Sequence, residues 1–407
     1  MNSKLIGGIL LVVGTTIGAG ILALPVATAQ MGFFGSLLFL IGAWGVMTVC
    51  AFLLLEVTLW LPPNTNIISM AGATLGKPGQ FVAWGVYLLL LYSILCAYID
   101  GGGDLFHYML FASGIIISKP IALIIFTSLF GSIVYFGIGL VDYVNRSLMV
   151  LKMGAFLLFI LCALPNVSTN ALIGTSFNHA ISSTSITVTA AAFASLMIIP
   201  SLRTYFNEDV KSLRTAIFVG MFIPLLCYIA WDMVIMGVIP FNGKYGLYEI
   251  KHSSDPNSAL LNALNSNLSF ESVSNIAKFF MSICMTTSFL SISLCLTDFL
   301  SDGLSVAKKG LGNIFVLGAT FIPPIYVVLY WPGTFIRALE YAGISSLILM
   351  MLLPILMVWN GRYKNKTNGV LAIESNSAYR VRGGKPLLAL LLLFSVLMIA
   401  SGVNGII

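Results

Sequence analysis

Long apolar runs separated by short polar connections make up most of this chain. By length and by their polar breaks, about eleven runs can each cross a bilayer as a helix, for which about 20 residues suffice. They fall at 5–30, 34–61, 80–109, 120–140, 145–164, 187–205, 213–239, 273–300, 313–330, 332–359 and 386–406. The runs are continuous, whereas outer-membrane strands would give segments of about ten alternating residues, so a β-barrel is excluded. The pattern predicts an all-α membrane protein. The first run follows Lys4 and superficially resembles a signal peptide, but its length and the lack of a cleavage site before a soluble domain predict a retained helix.

The first run is interrupted. Its middle reads Gly14-Thr15-Thr16-Ile17-Gly18-Ala19-Gly20, and Pro25 follows. Glycine costs a helix about 1 kcal/mol relative to alanine. A break at membrane depth is tolerated only where the backbone faces protein or a watery cavity. Such a break leaves free carbonyls on one half-helix and free N–H groups on the next, suited to an ammonium or cation and to a carboxylate respectively. Thr15 and Thr16 add hydroxyls. A small-residue face for close helix packing remains the alternative. The sixth run is similar: Ala190-Ala191-Ala192-Phe193-Ala194-Ser195 and then Pro200. Broken helices five apart predict two five-helix repeats of inverted topology with a site between them. The repeats would occupy 1–165 and 184–360, with 386–406 an extra helix, in a single transporter domain.

Composition agrees. Hydrophobic residues make up 58% and charged residues 8%, against about 25% charged in soluble domains. The net charge of +6 comes from loop lysines and arginines and gives no nucleic-acid surface. With the N-terminus inside, Lys77, Arg146, Arg203, Lys211, Arg214, Lys308, Lys309 and the basic 360–385 connection share one side, a bias of roughly three to one. The N-terminus is then cytoplasmic and the C-terminus periplasmic. The six cysteines lie inside apolar runs without a CxxC pair and read as packing residues.

The candidate chemistry is sparse. Lys152 lies about 15 Å deep in the fifth run at roughly 1.5 Å per residue. A lysine there marks a function by default and could load and release a proton; snorkelling is the other reading. Asp100 and Asp104 flank Gly101-Gly102-Gly103 in the third run, four residues apart on one helix face. They could bind an amine, pair with a cation or relay protons, and Asp104 also reads as an outer helix end. Asp232 is a weaker case of the same kind. Glu56 and Asp298, near inner ends, read as caps or as partners of loop arginines. Ser288 and Ser291 could hold a cation or bond Lys152, or merely satisfy backbone. The three histidines have no metal-ligand spacing. Walker A, G-x-S-x-G and H-E-x-x-H motifs are absent, so nucleotide-driven transport and membrane hydrolysis lack support. Secondary transport of a small zwitterion or anion remains; a channel and an amino-acid sensor are the rivals from other classes.

Gly14 to Pro25 resembles the opening signature of the bacterial aromatic amino acid permeases, the tyrosine- and tryptophan-specific transporters of the amino acid-polyamine-organocation superfamily. Leu61-Pro62-Pro63 to Lys77-Pro78-Gly79, Ala97-Tyr98-Ile99, Thr287-Ser288-Phe289-Leu290 to Asp302-Gly303-Leu304, Phe321-Ile322-Pro323-Pro324, Tyr341-Ala342-Gly343 and Arg380 to Pro386 are similar to the same family. The resemblance implies eleven helices in a leucine-transporter-like fold in the bacterial inner membrane, no enzymatic activity, and a monomer surrounded by lipid. It implies proton-coupled import of an aromatic amino acid, tyrosine first, without a cofactor. Tryptophan, phenylalanine or a hydroxy amino acid, and sodium coupling, stay open. By it the substrate meets Thr15, Thr16, Gly18, Ala19, Gly20, Tyr98, Asp100, Phe193, Ala194, Ser195, Leu196 and Ser288, with Lys152, Asp100 and Ser291 in coupling. Lys152 resembles a fifth-helix lysine that stands in for sodium in related carriers. Two departures stand out. Phe193-Ala194-Ser195-Leu196 replaces a run that in relatives carries a polar ring partner. Asp100 stands where a small polar residue is expected.

Overall fold

The first apolar run stops and restarts at its glycines. A computed structural model describes residues 3–405 except 19, 64, 174–180, 195, 254, 269–270, 307–308, 332 and 364–378. In it α1a (Ser3–Thr16) ends before the break and α1b (Gly20–Thr28) resumes after it. There follow α2 (Gly32–Trp60), α3 (Ile67–Ala112), α4 (Lys119–Tyr135) and α5 (Ile138–Ala163). The sixth leg is also split, into α6a (Ser183–Ala192) and α6b (Ile199–Tyr205). The remaining legs are α7 (Val210–Val238), α8 (Glu271–Leu304), α9 (Leu311–Tyr330), α10 (Thr334–Tyr363) and α11 (Gly384–Asn404). No strand occurs among the described residues.

Among the described residues eight stretches are individually long and apolar enough to cross a membrane, yet the described helices group into the eleven legs the pattern predicts. The difference has a physical cause. One stretch, Gly20–Trp60, runs 41 residues and turns back at Ala29–Met31, since one crossing needs about 20. The fourth leg has only 17 residues, and α1a and the two pieces of the sixth leg are short because of the breaks.

Between apolar helices in lipid there is little hydrophobic drive, so close approach through small residues matters. The triplet Gly101-Gly102-Gly103 does this for α3. A Cβ at Gly103 would lie 3.0 Å from the Leu123 backbone of α4, and one at Gly101 2.6 Å from Met285 of α8. Against this core α3 packs on α10 and α8, α8 on α5, α10 on α6a and α1a on α7. Trp231, Tyr228, Phe159, Phe280 and Phe289 are fully buried at its centre.

The polar 240–271 connection folds into two short helices, Leu247–Lys251 and Pro256–Asn267. Pro256 starts the second at a position that needs no N–H, and Leu260, Leu261 and Leu264 bury one face of it. At the opposite end, Glu56 of α2 meets Arg362 of α10 through two bonds of 2.7 and 2.5 Å, both side chains buried, and also accepts from Val381 N–H at 2.8 Å. The predicted partnership of Glu56 with an arginine of the basic connection holds.

Candidate functional site

Two helix breaks face each other in the middle of the bundle. Gly20, the first residue of α1b, lies so close to Ala192, the last of α6a, that a Cβ there would be 2.9 Å from the Ala192 Cα. Carbonyls freed at helix C-termini need partners, and buried side chains supply them. The Tyr228 hydroxyl of α7 lies 2.8 Å from both the Thr16 and the Ala192 carbonyl oxygens. It carries one proton, so it donates to one of the two at a time and ties the two breaks together. Lys152 Nζ donates to the Ile17 carbonyl at 2.8 Å, and its side chain is 1% exposed. A cation at the C-terminus of α1a is favoured by the helix dipole. Among the described residues no carboxylate pairs with Lys152. A Cβ at Gly18 would stand 3.0 Å from Ser288 Oγ and 3.1 Å from the Tyr98 hydroxyl. Phe193 packs edge-on against Tyr228, ring centroids 5.3 Å apart.

The structure thus brings Gly18, Gly20, Tyr98, Ser288, Lys152 and Phe193 around one junction, with Ala194 following Phe193 there. The threonines differ from expectation. Thr16 Oγ1 bonds Val12 O at 2.7 Å, and exposed Thr15 bonds Leu11 and Val12 O. Both hydroxyls return to their own helix, a common fate for membrane threonines, so their contribution is backbone. Ser291 donates to Thr287 O and accepts from Asn145 Nδ2 at 2.7 Å; its partner is Asn145, and Lys152 bonds backbone instead. Ala19 and Ser195 lie outside the described residues, as does the side chain of Leu196.

Asp100 and Asp104 go to one end of the bundle. The Asp100 carboxylate accepts from the Phe335 N–H at 2.8 Å and lies 3.5 Å from Lys119 Nζ. Lys119 also pairs with Asp255. Asp104, 3% exposed, accepts from Ser258 N–H at 3.0 Å and from its hydroxyl at 2.5 Å. It caps the first turn of Pro256–Asn267, where an anion suits the dipole. Its reading as a plain helix end is therefore incomplete: it fastens α3 to the covering helices. At the other end α3, α6b and α8 border a cavity of about 550 Å³, lined by Trp84, Tyr87, Met197, Ser201, Cys295 and Asp298 among others. One end is closed and the other open. Among the described residues no group of three or more metal-ligating side chains is present.

A multi-pass helical bundle with facing breaks, one end shut and one open, has the architecture of a membrane transport protein. The chain belongs to the tryptophan/tyrosine permease family, whose model matches residues 1–401. It is 32% identical to "Tyrosine-specific transport system 1" of Haemophilus influenzae, over 97% of this chain and 96% of that protein. It is 31% identical to "Glutamine transporter 2" of Aliivibrio fischeri, over 98% of this chain and 100% of that one. A crystal structure of MhsT in complex with L-phenylalanine shares the fold, with TM-score 0.65 and 15% identity, covering 99% of this chain and 98% of that chain. The leucine-transporter-like arrangement with helices one and six broken is thereby shown, and the chain is a permease, not an enzyme.

Sequence reasoning missed Tyr228. Its signal was available: Tyr228 and Asp232 lie four apart, on one face of α7. A polar pair on one stripe of an apolar helix points inward.

Proposed function

We propose that the protein imports an aromatic amino acid, tyrosine first, by proton symport through alternating access in the bacterial inner membrane. The junction of the two breaks carries this reading. The first N–H groups of α1b have no helical acceptor and suit the substrate carboxylate, as do the nearby Thr16 and Ala192 carbonyls the ammonium. Tyr98, Ser288 and Phe193, next to the junction, would meet the substrate ring. Residues 1–165 and 184–360 act as the two repeats that rock around this point, with 386–406 outside them. The basic connections lie in the cytoplasm, so the open end faces inward. The protein works as a monomer in lipid.

Lys152 loads and releases the coupled proton, since a buried ammonium with no counter-ion gains most by discharge. In proteoliposomes, Lys152→Ala lowers accumulation driven by a pH gradient about tenfold or more, with exchange lowered less. Unchanged accumulation would sink this role. The name of the Aliivibrio fischeri relative favours a second reading, an amide amino acid as cargo. Competition of labelled tyrosine uptake by all natural amino acids separates the two: glutamine competing better than tyrosine or tryptophan overturns the aromatic assignment. Accumulation under a sodium gradient alone overturns the proton.

A further inference from the structure

On the closed-end side of the junction, a buried carboxyl group stands apart from every other charge. Asp232 of α7 is fully buried. Its Oδ2 lies 2.6 Å from Ser36 Oγ of α2 and 3.3 Å from Thr28 Oγ1, the last residue of α1b. Ser36 Oγ and Thr28 Oγ1 are 3.0 Å apart, and Thr28 Oγ1 is 2.8 Å from Leu24 O within α1b. Asp232 Oδ1 is buried with no hydrogen-bond partner.

Proton counting decides what this chain of oxygens is. The three shorter contacts run in series, Asp232 to Ser36, Ser36 to Thr28 and Thr28 to Leu24 O, and the longer Thr28–Asp232 contact of 3.3 Å closes a triangle with the first two. Each of the shorter contacts needs one hydrogen, and the two hydroxyls supply two. If Asp232 is a carboxylate, Ser36 must donate to it, and the Ser36–Thr28 contact brings together two oxygens without a hydrogen unless Thr28 abandons Leu24. If Asp232 is a carboxylic acid, Oδ2–H donates to Ser36, Ser36 to Thr28 and Thr28 to Leu24 O, and each of the three shorter contacts holds one hydrogen. Charge agrees, because a buried carboxylate needs a cation or several donors. The ionisable groups on the elements packed against α7 are engaged elsewhere. On α1a, Lys4 lies over the Tyr205 ring of α6b. On α2, Glu56 pairs with Arg362. On α5, Lys152 bonds Ile17 O, and Asp142 and Arg146 pair with each other. On α6b, Arg203 bonds Thr58, Leu61 and Glu208. Tyr228, one turn away on α7, bonds backbone. The cysteines on these helices, Cys50, Cys162 and Cys227, are free thiols. No charged group among the described residues interacts with Asp232.

We propose that Asp232, Ser36 and Thr28 form a second proton-binding site, occupied in this conformation, that holds α1b in place. The bound ligand is one proton on Oδ2. Because the relay ends on the Leu24 carbonyl, moving α1b breaks it and exposes the carboxyl to water. The O–H bond then breaks, the carboxylate keeps the electron pair and water takes the proton. The half-helix that presents N–H groups to the substrate is thereby tied to proton occupancy. The link to transport rests on the symport reading above; the protonated carboxyl does not.

The test uses full-length protein reconstituted in lipid, with L-tyrosine as the probe substrate. Infrared difference spectra should show a protonated-carboxyl band in the wild type that is lost in Asp232→Asn and displaced in Ser36→Ala, which removes the acceptor and leaves the acid. Asp232→Asn copies the neutral acid and should keep exchange while losing proton-driven accumulation about tenfold or more, with a flattened pH profile. Absence of the band, or unaltered accumulation and pH profile in Asp232→Asn, overturns the site. A band that responds to sodium and ignores pH does the same. A wild type that shows the band, perturbed by substrate, but accumulates nothing under a pH gradient retains the site and overturns the symport reading alone.

Discussion

At the end covered by Pro256–Asn267, the elements meet through charges: α3 supplies Asp100 and Asp104, α4 Lys119, the covering helix Ser258, and α10 the Phe335 N–H. At the other end the strong polar clamps join different helices. Glu56–Arg362 fastens α2 to α10, and Arg203 fastens α6b to the carbonyls of Thr58 and Leu61 at the end of α2. Around the cavity between α3, α6b and α8 the contacts are weaker: the Tyr87 hydroxyl and Cys295 Sγ lie 3.2 Å apart, and Trp84 and Tyr87 pack on Phe299, with no ion pair joining these helices among the described residues. The contrast teaches how a bundle opens at one end without loosening everywhere. Buried pairs hold the scaffold at one end, and a separate small set of charges, near the glycine triplet of α3, ties the other.

The largest effect should come from the scaffold. Glu56→Gln leaves the Arg362 guanidinium buried without its counter-ion and should cost about 3–5 kcal/mol, read as a lower melting temperature of the purified protein. A loss below about 1 kcal/mol would mean that this clamp resembles a solvent-exposed pair. Next is the junction between the two ends. Tyr228→Phe removes the one hydrogen that the Thr16 and Ala192 carbonyls share; Thr16 O keeps the Gly18 N–H at 2.9 Å, and the loss at Ala192 O should cost about 1–3 kcal/mol. Uptake kinetics should show weaker substrate affinity, and unchanged affinity would separate Tyr228 from the site.

The gate is a smaller effect and the sharper test of the comparison. Cys295 lines the open cavity, whereas Cys96, one turn from Asp100, is 7% exposed. In variants keeping one cysteine each, a membrane-impermeant maleimide should label Cys295 quickly and Cys96 slowly. Asp100→Asn should speed Cys96 labelling about tenfold, as loss of about 1.4 kcal/mol of closing energy gives. Equal labelling of both cysteines without the mutation would remove the distinction between the ends. The smallest effect belongs to Asp209, the exposed N-cap of α7 outside the membrane. It accepts from Ser212 Oγ at 2.6 Å and Lys211 N–H at 3.1 Å. The Ser212 hydroxyl, foremost, holds its carboxyl below the usual carboxylate range. The folded value is depressed, so the stabilisation is complete above the unfolded carboxylate value and is lost only as pH falls through the lower folded one. Asp209→Ala should lower the melting temperature less than any change above, and that difference should vanish in strong acid.

The sequence alone determined the legs and the breaks. Crossing a bilayer demands about 20 apolar residues with every backbone group paired. Length, hydropathy and the Gly-Thr and Ala-rich interruptions were therefore legible residue by residue. Lys152 was legible for the same reason, being too costly at that depth without a purpose. Tertiary structure decided which groups answer the breaks. Thr15 and Thr16 looked like ligand hydroxyls but bond their own helix, an option local geometry always offers a threonine. Asp100 and Asp104 look alike in sequence as candidates for the site, yet the packing of α4, α10 and the covering helix turns both into fasteners of the closed end. Tyr228 reaches the breaks, and Asp232 reaches Ser36, across some two hundred residues of sequence. Such partnerships come from how α7 is rotated against α1 and α2. One chain's periodicity gives the inward stripe of a helix but not the group it will meet there.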